Sequence, residues 1–168
     1  MEDYYWTAIY VRSRAEKKVA ERLAEMQIEH YLPIQKTKVQ WSDRVKTVEK
    51  VLIPGYIFAR VSEREYYDVL NVYGCVTYVR SEGKAARIRE SQINAMKILL
   101  QEAPEAECVA DDSFAPGQMV EITFGAFKGF VGEIIYHKNS GRLIVRVDHV
   151  GLCVSVEVPL AHLGLVQP

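Results

Sequence analysis

The segment Leu52-Ile-Pro-Gly-Tyr-Ile-Phe58 decides the fold that the sequence predicts. Pro54-Gly55 interrupts a strand-like run, and this predicts a bulge or bend because proline cannot donate a ladder hydrogen bond. Beyond the bend the side chains alternate, so that Tyr56 and Phe58 share one face and Ile57 points to the other. The Ile57 face can fill a core, which leaves the aromatic face available for a partner. The alternative is that these aromatic side chains simply pack the core.

The segment N-terminal to this bend predicts a strand followed by a helix. Residues 6–11, Trp-Thr-Ala-Ile-Tyr-Val, are rich in aromatic and β-branched side chains and predict a strand. Ser13 and Glu16 have the spacing of a capping box, which predicts the start of a helix. Val19 and Leu23 then recur at helical spacing on what would be the buried side.

The residues between and after these elements complete an α+β pattern. A long polar stretch is expected to turn at Trp41-Ser-Asp-Arg44, and Ser62-Glu-Arg-Glu65 is a second capping box. The helix that it opens has Tyr66, Val69, Leu70 and Tyr73 on its predicted buried side. A strand over 76–80 and a helix over 91–101 follow. The order β-α-β-β-α-β-α predicts a sandwich of helices on a mainly antiparallel sheet, over residues 1–101.

The C-terminal third has a different character. Residues 102–115 are acidic and aperiodic, which predicts an interdomain linker. Residues 116–168 then show five short strands, with a hairpin turn at Asn139-Ser-Gly141 and a last strand over 163–166. This pattern predicts a small SH3-like β-barrel, and the alternating valines at 154, 156 and 158 favour strand over helix.

Composition and charge exclude several classes of protein. The 168 residues are 49% hydrophobic and 26% charged, with no apolar run long enough to span a bilayer and no signal peptide, so we expect a cytoplasmic protein. Residues 1–103 carry 17 basic and 14 acidic side chains, whereas residues 104–168 carry 4 and 8. Three widely spaced cysteines and four scattered histidines predict neither disulfides nor a metal site. No catalytic arrangement or phosphate-cradling loop is present, so we expect no enzyme activity and no cofactor.

Several of these segments together resemble a known family. Residues 6–11, 14–19, 52–58 and 73–79 resemble the N-terminal domain of NusG-type transcription elongation factors. Residues 116–132, Pro-Gly-Gln-Met-Val-Glu-Ile-Thr-Phe-Gly-Ala-Phe-Lys-Gly-Phe-Val-Gly, resemble the KOW module. The resemblance covers nearly the whole chain in the family's domain order. Residues 36–44 depart from the housekeeping members and residues 83–88 resemble the operon-specific antiterminators of the RfaH and UpxY type, to which the chain is more similar.

The resemblance implies a function and a partner. Members of the family dock an apolar depression on the clamp helices of RNA polymerase, and thereby suppress pausing and termination. On this chain the depression would be lined by Tyr10, Ile53, Tyr56, Phe58, Cys75 and Met96. Tyrosine suits such a surface because it combines contact area with a polar tip. We expect this chain to act as a monomer.

Two groups of basic residues are candidates for contact with nucleic acid. They are Arg12, Arg14, Lys18 and Arg22 near the first helix, and Lys36, Lys38, Arg44 and Lys46 on the long polar stretch. In the related antiterminators the matching helix surface faces non-template DNA, and Trp41 could stack on a base. The alternative is a solvated helix face balanced by Glu16, Glu21 and Glu25.

The barrel allows a second interpretation. The barrel of the family recruits a small-subunit ribosomal protein or the termination factor Rho. Housekeeping members use a bulky residue before a glycine for this contact, and the smaller Val150 before Gly151 in this chain disfavours Rho. The alternative function is a ribosome- or RNA-associated KOW binding module, but the acidic balance of residues 104–168 disfavours RNA.

Overall fold

A computed structural model describes residues 1–164 together with the backbone of residues 166 and 167. The α-helices are α1 (Glu16–Glu25), α2 (Tyr66–Leu70) and α3 (Glu90–Glu102). The strands before α3 are β1 (Tyr5–Val11), β2 (His30–Tyr31), β3 (Ile34–Gln40), β4 (Val45–Val51), β5 (Tyr56–Val61), β6 (Cys75–Tyr78), β7 (Arg80–Ser81) and β8 (Lys84–Ala85). Those after it are β9 (Glu107–Ala110), β10 (Gln118–Ile122), β11 (Val131–His137), β12 (Ser140–Val147), β13 (Leu152–Pro159) and β14 (Val166–Gln167). The prediction of an α+β fold is confirmed.

The chain divides into two compact units. The first comprises residues 1–33, 53–90 and 148–150, and the second comprises residues 34–52, 91–147 and 151–168. These units cut across the predicted boundary at residue 101, because residues 34–52 and 91–101 belong to the second. The domain boundaries expected from sequence stay a prediction.

The first unit is built on an antiparallel sheet with the strand order β2-β5-β1-β6. Ile9 of β1 is paired with Ile57 of β5, and both side chains are fully buried. Val19 and Leu23 of α1 are buried in the same cluster. The predicted core face of the two strands is therefore confirmed, as is the amphipathic helix.

The start of α1 differs from the predicted capping box. The residue before the helix is Ala15, and no side chain caps the helix. The Glu16 carboxylate instead accepts a hydrogen bond from the backbone N–H of Gly55, at 3.0 Å. The predicted bend is present, and Gly55 has a φ of +87°, a value that side chains with a Cβ rarely adopt. The second capping box is confirmed in part, since Glu65 accepts hydrogen bonds from the backbone N–H and the hydroxyl of Ser62.

The second unit contains a hairpin, α3 and a six-stranded sheet. The sheet has the order β14-β10-β11-β12-β13-β9, and we call it the barrel because it occupies the segment predicted to form one. Val154, Val156 and Val158 lie in β13 and are buried, as the alternating pattern predicts. Of the last strand predicted over 163–166, Leu163 and Gly164 are not in a strand, Leu165 lies outside the described residues, and Val166 begins β14. Strands β3 and β4 pair over their whole length in a hairpin that closes at the predicted turn, where Trp41 N–H donates to the Arg44 carbonyl.

The segment over 102–115, predicted as an interdomain linker, contains regular structure. Residues 107–110 form β9, which pairs with β13 from Ser155 to Leu152. The guanidinium of Arg146 donates to the backbone carbonyls of Asp111, Phe114 and Ala115. The segment looked like a linker because its pairing partners lie about 40 residues away along the chain, where no local pattern can indicate them.

Candidate functional site

Two tyrosines stand side by side on the sheet of the first unit. Tyr10 of β1 is directly opposite Tyr56 of β5, and the ring centroids are 4.7 Å apart with the planes tilted by 43°. Tyr10 is 39% exposed and Tyr56 is half-buried. We call these two residues the tyrosine pair.

The bend at Gly55 places the tyrosine pair at the end of the sheet. The carbonyl of Gly55 accepts a hydrogen bond from the backbone N–H of Val11, at 2.9 Å, while its N–H is held by Glu16. Strand β5 begins at the next residue, Tyr56. The buried carboxylate and the bend thus fix the backbone from which the Tyr56 ring projects.

Three of the six predicted polymerase-contact residues do not reach the surface. Ile53, Phe58 and Met96 are fully buried, so the prediction that they line an open depression is wrong for this structure. Phe58 lies in the middle of the sheet, between Ala8 of β1 and Tyr31 of β2. The alternation along β5 correctly assigns its face, but it cannot distinguish a central position from one at the strand's end.

Cys75, the remaining predicted contact, is half-buried. It is paired with Val11 in the register of β6 and β1. Burial raises the pKa of the Cys75 thiol to about 11, against the opposing influence of Arg22. The thiol is therefore neutral at physiological pH and can contribute an apolar contact. Its neighbour Val76 is exposed, although sequence reasoning did not include it in the site.

A tyrosine that sequence reasoning assigned to the core lies at the surface between two arginines. Helix α2 ends at Leu70, one turn earlier than predicted, and Tyr73 is 69% exposed. The guanidinium carbons of Arg12 and Arg22 lie 5.3 and 5.2 Å from the centroid of its ring. Arg22 also donates a hydrogen bond to the Tyr73 carbonyl, at 2.6 Å. We call these three residues the arginine–tyrosine cluster.

The other two basic candidates of this region do not join the cluster. Lys18 forms an exposed ion pair with Glu21, at 3.2 Å, as the alternative of a balanced helix face predicts. Arg14 is exposed and has a φ of 63°. The structure thus brings together Arg12 and Arg22 but not Arg14 and Lys18. Gly74 predicts where the helix ends, but a helix that reaches Gly74 still includes Tyr73, so no local signal indicates that Tyr73 is exposed.

The second basic group lies on the β3–β4 hairpin, in the second unit. The hairpin is exposed along both faces, and its five basic side chains outnumber its two acidic ones. Lys46 lies over the ring of Trp41, with its Nζ 5.5 Å from the centroid. Lys36 and Lys38 are opposite Glu49 and Thr47 on the other face. Arg44 lies in the turn. The hairpin therefore presents a cationic surface with one exposed indole.

Two negative observations apply to the described part of the chain. No group of three or more His, Cys, Asp or Glu residues there is arranged to hold a metal ion. None of its helices is long and apolar enough to cross a membrane.

Comparisons with known proteins point to one family. A family model described as transcription termination factor nusG matches residues 4–97. The chain is 29% identical over 169 residues to the transcription termination/antitermination protein NusG of Rickettsia conorii, a match that covers 91% of this chain and 85% of the relative. It is 26% identical to the NusG protein of Chlamydia pneumoniae, with coverages of 88% and 87%.

A solved structure of NusG from Thermotoga maritima, described as "Domain interaction in Thermotoga maritima NusG", shares the fold. The match covers 98% of this chain and 97% of that one. The TM-score is 0.50 and the sequence identity is 21%. At this identity the likeness supports the fold alone.

Proposed function

The chain belongs to the NusG family of transcription termination/antitermination proteins, and on that premise we propose that its tyrosine pair docks on the clamp helices of RNA polymerase. Proteins of this family are non-enzymatic factors that act with RNA polymerase. In our proposal the docked factor suppresses pausing and termination during elongation. The finer role is that of an operon-specific antiterminator of the RfaH and UpxY type.

The exposed tyrosine pair is the observation that carries this proposal. Two tilted rings in contact form a continuous apolar patch, and each hydroxyl supplies a polar tip. Tyrosine is enriched at protein interfaces because it buries a large area at a low cost in conformational entropy. Cys75 packs against the core cluster, so the proposal rests on the two tyrosine rings.

Contact with non-template DNA is the second part of the proposal. The arginine–tyrosine cluster combines two cations with an exposed ring, which suits a single strand because phosphates pair with arginine and bases stack on tyrosine. The β3–β4 hairpin supplies Lys36, Lys38, Arg44 and Lys46 for phosphate contact and Trp41 for stacking.

The barrel supports a protein partner better than RNA. Residues 104–168 carry 4 basic and 8 acidic side chains, so their balance repels a phosphate backbone. We propose a small-subunit ribosomal protein as the partner of this part of the chain.

Co-purification with RNA polymerase tests the central proposal. We expect Tyr56→Ala to reduce polymerase recovery at least roughly tenfold, because hot-spot tyrosines at interfaces cost about 2 kcal/mol or more when truncated. Tyr136→Ala is the matched control, since Tyr136 is an exposed tyrosine on β11 of the barrel. Equal recovery of both variants, with both folded by circular dichroism, would contradict the proposal.

Mapping on transcribing polymerase tests the finer role. An operon-specific factor is expected at a few transcription units. Occupancy of nearly every transcribed gene would contradict that role and leave the polymerase contact standing.

A further inference from the structure

A pocket on the first unit lies apart from the tyrosine pair and from the arginine–tyrosine cluster. Its volume is about 660 Å³, within the range of small-molecule sites. Helix α2 and the β7–β8 hairpin supply most of its walls. The lining residues that matter for its chemistry are Tyr5, Tyr66, Tyr67, Arg80, Lys84 and Arg87.

The aromatic side of the pocket is held in place by its neighbours. The Tyr66 ring is stacked on Tyr78, with centroids 4.4 Å apart and an interplanar angle of 26°. The hydroxyl of Tyr78 donates to the Tyr66 carbonyl, at 2.7 Å, which fixes the two residues to each other. Tyr67 meets Tyr66 edge-on at 5.0 Å and is 70% exposed. The pocket therefore offers a planar ligand the ring of Tyr66, which is held in place, and the ring of Tyr67, which is exposed.

The opposite side of the pocket is cationic. Arg80 lies in β7 and Lys84 in β8, on either side of a turn in which Glu82 and Gly83 have φ values of 52° and 78°. Within the described part of the chain, neither Arg80 nor Lys84 has an ionic partner. Two exposed cations that the protein does not neutralise favour an anionic ligand.

The remaining charged groups of the pocket are already engaged. Arg87 pairs with Asp3 at 2.9 Å and lies over the ring of Tyr5, 4.4 Å from its centroid. Glu63 accepts a hydrogen bond from the Tyr5 hydroxyl, at 3.2 Å. Glu63, the acidic side chain among the lining residues, is thus engaged in a hydrogen bond.

We propose that this pocket binds a nucleotide, with its base stacked on the exposed ring of Tyr67 and its phosphate held by Arg80 and Lys84. A base supplies the planar face that tyrosines stack on, and a phosphate supplies the charge that the two cations lack. Two alternative ligands would use only part of the pocket. A carboxylate-rich peptide would pair with the cations but has no ring to stack on tyrosine, and a neutral aromatic ligand would stack but would leave the cations unpaired. The nucleotide comes either from a free nucleoside phosphate or from the 5′ end of an RNA strand. This proposal goes beyond the polymerase contact and does not depend on it.

Isothermal titration calorimetry of the full chain tests the proposal. The probes are ATP, adenosine, hexaglutamate and a 5′-phosphorylated tetra-adenylate RNA. We expect Tyr67→Ala to weaken nucleotide binding roughly tenfold, which is typical of the loss of one base-stacking ring. We expect Lys84→Glu to weaken it at least roughly tenfold and to reduce its salt dependence. The matched controls are Tyr136→Ala and Lys128→Glu, which change an exposed tyrosine and an exposed lysine of the barrel.

The binding data distinguish a free nucleotide from the 5′ end of an RNA strand, and both from an acidic peptide. Binding of ATP as tight as that of the RNA, with adenosine weaker, identifies a free nucleotide. Binding of the RNA at least roughly tenfold tighter than ATP, through its 5′ phosphate, identifies a strand end. Three results would overturn the proposal: no binding of ATP or RNA at millimolar concentration, equal losses in the pocket and control variants, or hexaglutamate binding that Tyr67→Ala leaves unchanged.

Discussion

The arginines of the two units differ in whether the fold uses their hydrogen-bond donors. In the barrel, Arg146 is largely enclosed and donates to the carboxylates of Glu133 and Asp111 as well as to three backbone carbonyls. In the first unit, Arg12 and Arg22 lie at the surface around an exposed tyrosine. Arg22 donates one hydrogen bond to the Tyr73 carbonyl and is half-buried.

This difference separates a structural arginine from one that is available to a partner. Arg146 joins residues 111–115 to β11 and β12, so its hydrogen-bonding capacity is used inside the fold. Arg12 and Arg22 make fewer hydrogen bonds within the protein than Arg146 does. A cation that the fold leaves with spare donors beside an open ring is a candidate for binding an anion.

The largest expected effect is on the stability of the barrel. Arg146→Met should lower its free energy of unfolding by about 3 kcal/mol, because Glu133 and the partly buried carbonyls of Asp111 and Phe114 lose their donor. Protection of the β12 amides in hydrogen exchange measures this loss. Arg12→Met is the control and should change protection by less than about 0.5 kcal/mol, as surface substitutions do. Equal effects of the two variants would contradict the comparison.

The same ion pair makes barrel stability depend on pH. Burial alone would raise the pKa of Glu133, but hydrogen bonds from Arg146 and Gly117 outweigh it and lower the pKa below its ordinary value. The stabilisation is therefore present above the unfolded-state pKa and is lost as the pH falls through the lower folded-state pKa. We expect Arg146→Met to remove this acid-side loss, which urea unfolding at a series of pH values between about 6 and 3 would detect.

A smaller effect is expected on nucleic-acid binding. Replacing Arg12 and Arg22 together by alanine should weaken binding to single-stranded DNA roughly tenfold and reduce the salt dependence, because two phosphate contacts are lost. Lys18→Ala is the control, since Lys18 is already paired with Glu21. Fluorescence anisotropy at several salt concentrations measures both quantities. A Lys18→Ala loss as large as that of the double variant would indicate a general charge effect rather than a defined cluster.

The sequence pattern predicted strands and their buried faces correctly where adjacent residues along the chain determine burial. The alternation around residue 57 identified the core face of β5, and the alternating valines identified β13. The bend at Gly55 was evident because few residues other than glycine adopt its φ. The tyrosine pair follows from these local signals and from the resemblance to a family.

The sequence predictions were wrong where contacts between residues far apart in the chain determine whether a side chain is buried. Phe58 shares a face with Tyr56 but lies between two neighbouring strands, and nothing in its own segment indicates this. Tyr73 fits the helical spacing of α2, yet the helix ends before it and the ring lies between Arg12 and Arg22. The role of Arg146 was likewise invisible, because its partners lie up to 35 residues away.

Site-specific photo-crosslinking to RNA polymerase tests the central claim most directly. A photoreactive phenylalanine analogue at position 10, beside Tyr56, is predicted to crosslink to the polymerase subunit that carries the clamp helices. The same analogue at position 136, on the barrel, is predicted not to crosslink to those helices. Crosslinks to the clamp helices from position 136 and none from position 10 would contradict the account.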